Sequence, residues 1–369
     1  MTICQISDII FHKEVSYKLH INELLTIARS ERASDVHITA QRNPLFRIDG
    51  ALRETDYALS IDEKRILILS LLTEKQKQTV DTGGDVDTSY ETEGGMRHRV
   101  NIYHQQQRIA AAIRLLNDTI PTFEELGLPE ALRTLADEPR GLILVTGPTG
   151  SGKSTTLAAM VDYVNSRRAC HILTIEDPVE YVYSQKMAMI HQRNIGEDVD
   201  SFAAALRSAM REDPDVILVG EMRDFETISA AITAAETGHL VLSTLHTTGA
   251  AMTVDRIIDV FPPHSQHQIR TQLAGVLKGV ITQTLLPRSA GSGRVAAFEI
   301  MLGTDAVSTM IREGKGHQLN SVIQTNSRQG MILLDDYLAN LVRSGIVTRD
   351  AALEKASNKA ELLSAIVRV

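Results

Sequence analysis

The 369-residue sequence has few cysteines: only Cys4 and Cys170 are present, and they lie far apart in the chain. Two isolated cysteines form neither a disulfide framework nor the closely spaced cluster that a structural zinc site requires. Such scarcity is typical of a protein that works in a reducing compartment, so we expect a cytoplasmic location.

An excess of basic charge is also missing, because 38 Lys and Arg stand against 46 Asp and Glu, for a formal net charge of -8. Nucleic-acid binding usually requires a basic face, so no nucleic-acid partner is expected. Long apolar runs are absent as well, and the first sixteen residues carry mixed charge in place of a signal sequence. We therefore expect contact with the inner face of the cell membrane only through partner proteins.

Hydropathy patterns divide the chain into parts of different character. Residues 1–18 form an extension without a clear pattern. Residues 19–116 combine helical spacing at Ile21–Arg29 with alternating segments such as Arg97–Ile102, which predicts a small α+β domain. Turn-forming residues follow, so residues 117–140 are predicted to be a linker and a first helix.

Residues 141–369 alternate short apolar segments with helical patterns. The predicted strands are Leu142–Thr146, His171–Ile175, Asp215–Val219 and His239–Ser243, and Phe225–Glu236 is a predicted helix between the last two. This alternation indicates an α/β fold with a parallel sheet and helices on both faces. Several helices are expected from Val254 to the C-terminus.

The pattern G-x-x-x-x-G-K-S stands between a predicted strand and a predicted helix, which is the context of a phosphate-binding loop and disfavours a chance match. Glycines allow backbone N–H groups to surround phosphates, and the helix N-terminus adds its positive dipole end. We predict that Lys153 reaches the β- and γ-phosphates of ATP and that Ser154 ligates Mg²⁺. The predicted nucleotide-binding residues are Gly147, Pro148, Thr149, Gly150, Ser151, Gly152, Lys153, Ser154 and Thr155.

Carboxylates follow two of the predicted strands. Glu221 comes just after Asp215–Val219, where it would orient or deprotonate the attacking water; the alternative is a solvated glutamate at a helix N-terminus. Glu176 opens an acidic run after the strand His171–Ile175. It is either a magnesium ligand, directly or through water, a second water-activating group, or part of an ordinary Asp-Pro turn.

A histidine and several arginines complete the candidate site. His246 follows the fourth strand and could hydrogen-bond the γ-phosphate, although a lone histidine is more often structural. Arg99 and Arg114 lie on predicted strands of the first domain. Phosphoryl transfer benefits from a guanidinium supplied by another domain or subunit, and solvated strand residues are the alternative.

Taken together, the motifs resemble the hexameric secretion-type ATPases, most closely the PilT-type twitching-motility ATPases of type IV pili. The resemblance runs from about residue 20 to the C-terminus. Its motifs, in chain order, are Ser34–Ile38, the phosphate-binding loop, Thr174–Glu180 (resembling the family's Asp box), Asp213–Asp224 (its atypical Walker B) and Thr237–Thr248 (its His box).

The resemblance implies a PAS-like N-terminal domain followed by a RecA-like ATPase domain with C-terminal helices, assembled as a homo-hexamer with ATP between the domains. By motif position, Glu221 matches the family's catalytic glutamate, His246 its His-box histidine, and Arg99 and Arg114 its N-terminal-domain arginines. The implied function is ATP hydrolysis that powers pilus retraction. The implied partners are an inner-membrane pilus platform protein and a paralogous pilus ATPase.

Two features distinguish members of this family. Secretion and pilus-extension ATPases usually carry a tetracysteine zinc element, which two cysteines cannot build. Retraction ATPases typically carry Ala-Ile-Arg-Asn-Leu, whereas Ala306–Met310 here reads Ala-Val-Ser-Thr-Met. Beside a retraction motor, the sequence therefore leaves open a regulatory ATP-binding subunit of a pilus motor and a related secretion or conjugation ATPase.

Overall fold

The computed structural model describes residues 19–48, 50–116, 119–290 and 293–367. The chain divides into two compact units, Met1–Leu116 and Asn117–Val369. The predicted extension, residues 1–18, lies outside the described residues.

The first unit combines helices with an antiparallel sheet. Its described strands are ordered β3-β2-β1-β6-β5-β4. Apolar residues at helical spacing bury Leu24 and Leu25 against Val36, Ile102 and Ile113 of the sheet. The elements are α1 (Ile21–Ser30), β1 (Asp35–Ile38), β2 (Leu45–Ile48), β3 (Ala51–Glu54), α2 (Ile61–Leu69), α3 (Glu74–Asp81), β4 (Val86–Glu91), β5 (Arg97–Gln105) and β6 (Arg108–Leu115).

The second unit is built around a mostly parallel sheet. Its described strands are ordered β13-β12-β7-β11-β10-β8-β9, and β13 runs antiparallel to β12. The elements up to β11 are α4 (Phe123–Leu126), α5 (Glu130–Ala136), β7 (Gly141–Thr146), α6 (Lys153–Asn165), β8 (His171–Glu176), β9 (Met189–Asn194), α7 (Phe202–Ala209), β10 (Val216–Val219), α8 (Phe225–Glu236) and β11 (Leu240–Leu245).

The elements after β11 are α9 (Ala250–Asp259), α10 (Gln266–Val276), β12 (Leu277–Pro287), β13 (Arg294–Leu302), α11 (Asp305–Arg312), α12 (Leu319–Thr325), α13 (Leu334–Arg343), α14 (Arg349–Lys355) and α15 (Lys359–Val367). Several helices are therefore present from Val254 onward, as expected, but the two long strands β12 and β13 were not predicted. Strand β12 is buried on both faces, with Val280 and Ile281 both inaccessible, so it shows no polar alternation.

The central strand β7 fixes where the loops of the sheet meet. Its residues alternate between two cores: Leu144 packs in the cluster that contains Ile228 of α8, whereas Val145 packs with Leu157 of α6. Its last residue, Thr146, is level with Leu245 of β11. Because neighbouring parallel strands end at one edge, the segments that follow them come together there.

We expect Leu144→Ala to destabilise the second unit by about 2–5 kcal/mol, because it leaves a cavity in a fully buried strand. The control Met189→Ala removes a side chain that is 50% exposed on strand β9 and should cost below about 0.5 kcal/mol. The chain has no tryptophan, so thermal unfolding is followed by far-UV circular dichroism. Equal melting temperatures for the two variants would contradict the assignment of β7 to the core.

Candidate functional site

The predicted phosphate-binding loop connects β7 to α6 and bends sharply at its glycines. Gly147, Gly150 and Gly152 have φ values of 135°, 77° and 90°, a region that favours glycine. A Cβ atom at Gly147 would lie 2.2 Å from the carbonyl oxygen of Gln283, so no side chain fits there. A Cβ atom at Gly150 would have no atom beyond its chain neighbours within 4 Å, and the residue is exposed, so a ligand can approach its backbone.

Helix α6 begins at this loop without a side-chain cap. Its N-cap residue is Gly152, and its first turn contains no acidic residue. The N-cap residues of helices α7 and α8 are instead Ser201 and Asp224, whose side chains accept hydrogen bonds from backbone N–H groups of the first turn. An uncapped N-terminus leaves backbone N–H groups and the positive dipole end available to an anion, which fits a phosphate group.

The Lys153 side chain is folded against the loop from which it arises. Its ammonium donates to the carbonyl oxygens of Gly147 at 2.9 Å and Pro148 at 3.1 Å. Burial lowers its pKa, an effect opposed by the charges of Glu180 and Glu221. The positive charge is thus held at the loop, with two carboxylates near it.

Glu221 and His246 meet beside the same loop, at a cavity of about 330 Å³ that both line. The His246 Nε2 atom is 3.6 Å from Glu221 Oε2, and its Nδ1 atom is 3.5 Å from Thr149 Oγ1 in the loop. Arg223 places its Nε atom 2.8 Å from the same Glu221 oxygen. The imidazole of His246 therefore lies between the Glu221 carboxylate and the phosphate-binding loop and contacts both.

Side chains at the ends of β10 and β11 hold this arrangement together. Thr244 Oγ1 donates to the Gly220 carbonyl oxygen at 2.6 Å, and the Met222 N–H donates to the Thr244 carbonyl at 3.1 Å. Ser243 donates likewise to Val219 at 2.8 Å. The segment that carries Glu221 is thereby tied to the strand that precedes His246.

Glu176 ends strand β8 with its carboxylate turned into the protein. It accepts from Thr174 Oγ1 at 2.7 Å, Gln192 Nε2 at 3.4 Å and the Glu180 backbone N–H at 3.5 Å. Burial raises its pKa to about 7. Among the acidic residues of this segment, Glu180 is the one whose charge acts on Lys153.

Two further nucleotide-site candidates, Ser154 and Thr155, lie on the first turn of α6. Ser154 is exposed, with its hydroxyl next to the uncapped helix start, which suits a magnesium ligand. The Thr155 hydroxyl instead contacts Tyr181 Oη at 3.0 Å and so links α6 to the segment after Glu176.

The predicted arginines belong to the first unit, where both form ion pairs. Arg99 makes two hydrogen bonds to Asp87, at 3.2 Å and 2.8 Å. Arg114 donates to Asp35 at 3.1 Å. The two arginines lie opposite each other on β5 and β6, so they present neighbouring guanidinium groups on one sheet.

Sequence reasoning missed three polar residues on the unpredicted strands. Gln283 contacts the loop at Ser151, Thr282 contacts Thr146, and Glu299 accepts from the N–H of Ala250 at the start of α9. A signal was available: Val280–Thr284 is a β-branched run with an isolated glutamine, which is typical of a strand.

The segment that departs from the retraction pattern forms helix α11. Val307 is buried, Met310 packs against the same core, and Ser308 Oγ donates to the Ala274 carbonyl of α10 at 2.8 Å. The altered residues therefore keep a well-packed helix at this position.

No helix in the described ranges is long and apolar enough to cross a membrane.

Comparison with known proteins shows the relationship directly. Residues 12–353 match the family model described as type II/IV secretion system protein. The type IV pilus retraction ATPase PilT of Pseudomonas aeruginosa is 48% identical over 340 residues, covering 92% of this chain and 98% of that protein. The type IV pilus ATPase PilU of the same organism is 36% identical over 345 residues, covering 93% and 90%.

A solved structure of the pilus retraction motor PilT with bound ADP superimposes with a TM-score of 0.88, at 44% identity, over 94% of this chain and 99% of that one. The chain belongs to the type II/IV secretion system protein family, with an α/β fold. The predicted resemblance to PilT-type pilus ATPases is confirmed.

The raised pKa of Glu176 predicts pH-dependent stability. Because its folded-state pKa of about 7 exceeds the ordinary 4.5, the folded state holds the proton more tightly. That stabilisation is complete below pH 4.5 and is lost as pH rises through about 7. Glu176→Gln should therefore gain about 2–3 kcal/mol over the native chain between pH 5 and pH 8.

The measurement is the melting temperature of both proteins at pH 5 and pH 8, in EDTA to remove bound metal. Each kcal/mol corresponds to about 2–4 °C for a unit of this size. The control Glu226→Gln changes an exposed carboxylate on α8 and should show no such pH dependence. A Glu176→Gln difference that is the same at both pH values would contradict burial of this carboxylate.

Proposed function

We propose that this chain is an ATP-hydrolysing motor that powers retraction of type IV pili. The observation that carries the proposal is the contact between Glu221, His246 and Thr149 at the phosphate-binding loop. It occurs in a chain that is 48% identical to a pilus retraction ATPase over nearly its whole length.

In the proposed reaction, water attacks the γ-phosphorus of ATP, and the Glu221 carboxylate accepts the proton of that water as ADP leaves. Lys153 and the backbone N–H groups of the loop hold the β- and γ-phosphates. His246, between Glu221 and the loop, contacts the γ-phosphate and therefore responds to its loss.

Arg223 has to release Glu221 before this step. The Arg223 guanidinium occupies the Glu221 Oε2 atom at 2.8 Å, so this oxygen is not free to contact the attacking water. Negatively charged phosphates offer the guanidinium another partner, so substrate binding itself favours release of the carboxylate.

Magnesium completes the proposed site, where it would neutralise phosphate charge. Ser154 is the candidate direct ligand, and Glu176 is the candidate ligand bound directly or through water. The hydrogen bonds that Glu176 receives from Thr174 and Gln192 fix its carboxylate. A ligating carboxylate must be ionised, so a nearby cation would lower the pKa that burial has raised.

The assembly proposed is a homo-hexamer in the cytoplasm, in which the first unit is a PAS-like domain, residues 19–116, and the second a RecA-like ATPase domain, residues 141–369. The six-stranded antiparallel sheet with its helices supports the PAS-like assignment. Arg99 and Arg114 would complete the nucleotide site of the ring. The motor would act on an inner-membrane pilus platform protein, together with a paralogous pilus ATPase.

A second candidate is a regulatory ATP-binding subunit of a pilus motor. The observation that favours it is the altered segment on α11, where Ser308 and Thr309 replace an arginine and an asparagine of the retraction pattern. The 48% identity to a protein named as a pilus retraction ATPase favours the motor. Steady-state ATP hydrolysis separates the two candidates, because a regulatory subunit should show almost none.

Glu221→Gln should lower kcat for ATP hydrolysis at least about 100-fold, because glutamine cannot accept the proton of the attacking water. ADP binding should stay within about threefold of the native protein.

Lys153→Ala should instead weaken ADP binding, because the loop loses the positive charge that contacts the phosphates. The assays are phosphate release with Mg²⁺ and calorimetric titration with ADP.

Glu226→Gln is the matched control, since it removes a nearby exposed carboxylate and should leave both values unchanged. Addition of EDTA should stop turnover by the native protein, and excess Mg²⁺ should restore it. Native turnover in Glu221→Gln would disprove the role of Glu221.

In the host cell, deletion of the coding sequence should abolish twitching and leave surplus surface pili, because extension continues without retraction. Complementation with the native sequence should restore motility, and complementation with Glu221→Gln should not. Surface pili are counted by electron microscopy. Loss of pili in the deletion strain would point to extension instead, and unchanged twitching would contradict a role in retraction.

A further inference from the structure

Strand β12 carries a buried glutamine that faces the phosphate-binding loop. This strand lies beside β7 in the sheet, with Thr282 level with Thr146 at the point where the loop begins. Gln283 is the next residue, and only 3% of its surface is exposed. A primary amide buried to this degree requires hydrogen-bond partners, and both of its partners belong to the loop and the helix that follows it.

The two ends of the Gln283 amide bind two different parts of the nucleotide site. Its Nε2 atom donates to the Ser151 carbonyl oxygen at 2.7 Å. Its Oε1 atom accepts from Thr156 Oγ1, also at 2.7 Å. A carbonyl oxygen can only accept, so Ser151 fixes which way the amide points.

The loop also wraps closely around residue 283. Gly147 approaches its backbone carbonyl so closely that a Cβ atom would lie 2.2 Å from that oxygen. Gly152 approaches the side chain, where a Cβ atom would lie 2.8 Å from Nε2. A side chain at either Gly147 or Gly152, the first and the last glycine of the loop, would therefore collide with Gln283.

We propose that Gln283 is a positioning residue for nucleotide binding, which holds the loop between Gly147 and Gly152 in the shape that accepts phosphates. The backbone N–H groups of this loop bind phosphate only when they point inward together. Gln283 fixes the loop at Ser151 and the helix at Thr156, and so sets the angle between them. The inference rests on the proposed nucleotide site.

Thr282, the residue before Gln283, connects strand β12 to the loop that contains His246. Thr282 Oγ1 lies 2.9 Å from Thr146 Oγ1 and accepts from the Gly249 N–H at 3.3 Å. Adjacent strand residues point to opposite faces, so Thr282 and Gln283 reach two different segments. Strand β12 thus supports the phosphate-binding loop and the segment after His246 from neighbouring positions.

The test is Gln283→Met, which keeps the side-chain length and removes both hydrogen bonds. The ADP dissociation constant and the KM for ATP should each rise about tenfold. The kcat should stay within about twofold, because Glu221 and His246 are untouched. A residue with a merely structural role would lower the melting temperature without changing the dissociation constant measured well below it.

Thr284→Val is the matched control. Thr284 is buried on the same strand, and among the described residues its hydroxyl makes no hydrogen bond to the loop. Its ADP affinity, KM and kcat should equal those of the native protein. Thr156→Val removes one of the two partners, so its effect on affinity should be less than additive with that of Gln283→Met.

If Gln283→Met does not fold, Gln283→Leu replaces it. Leucine can neither donate to Ser151 nor accept from Thr156, so the ADP dissociation constant should again rise about tenfold. Native affinity and KM in whichever of the two variants folds would overturn the inference. Failure of the native protein to bind ADP would instead overturn the proposed function.

Discussion

The candidate site depends on the parallel pairing of β7 with its two neighbours. Thr146, the last residue of β7, is level with Leu245 of β11 and with Thr282 of β12. The loop that follows Thr146 therefore begins at the same height as the segment that contains His246 and beside Gln283. The contacts of His246 with Thr149 and of Gln283 with Ser151 follow from this shared level, because these side chains are too short to reach across a shifted register.

Two ionisable groups of the site, Lys153 and Glu176, are buried, and burial shifts the pKa of each. Lys153 is kept in a low-polarity position by two backbone carbonyls, and the nearby carboxylates of Glu180 and Glu221 partly offset the cost. Glu176 accepts hydrogen bonds from Thr174, Gln192 and the Glu180 backbone N–H, all of them uncharged donors, and burial raises its pKa to about 7. Burial therefore disfavours the charged form of both Lys153 and Glu176.

Much of this arrangement follows from local sequence. The loop between Gly147 and Ser154 was predictable because its glycines and lysine fit one geometry, and helix Phe225–Glu236 agrees with the structure residue for residue. Strands β12 and β13 were not predictable in the same way. Their apolar residues are buried on both faces, so a pattern of alternation never arises, and the contact of Gln283 with Ser151 spans 132 positions in sequence.

The proposed role of the two arginines fits the weakness of the ion pairs that they form. Arg99 and Arg114 are each paired with an aspartate of their own unit, and such exposed pairs contribute little stability. A phosphate can replace a carboxylate as the partner of a guanidinium, because it accepts the same two parallel hydrogen bonds and carries more charge. In the proposed ring, exchange of Asp35 and Asp87 for phosphate would therefore cost little. Loss of the γ-phosphate would reverse that exchange, so weak ion pairs at these two positions suit a motor better than strong ones.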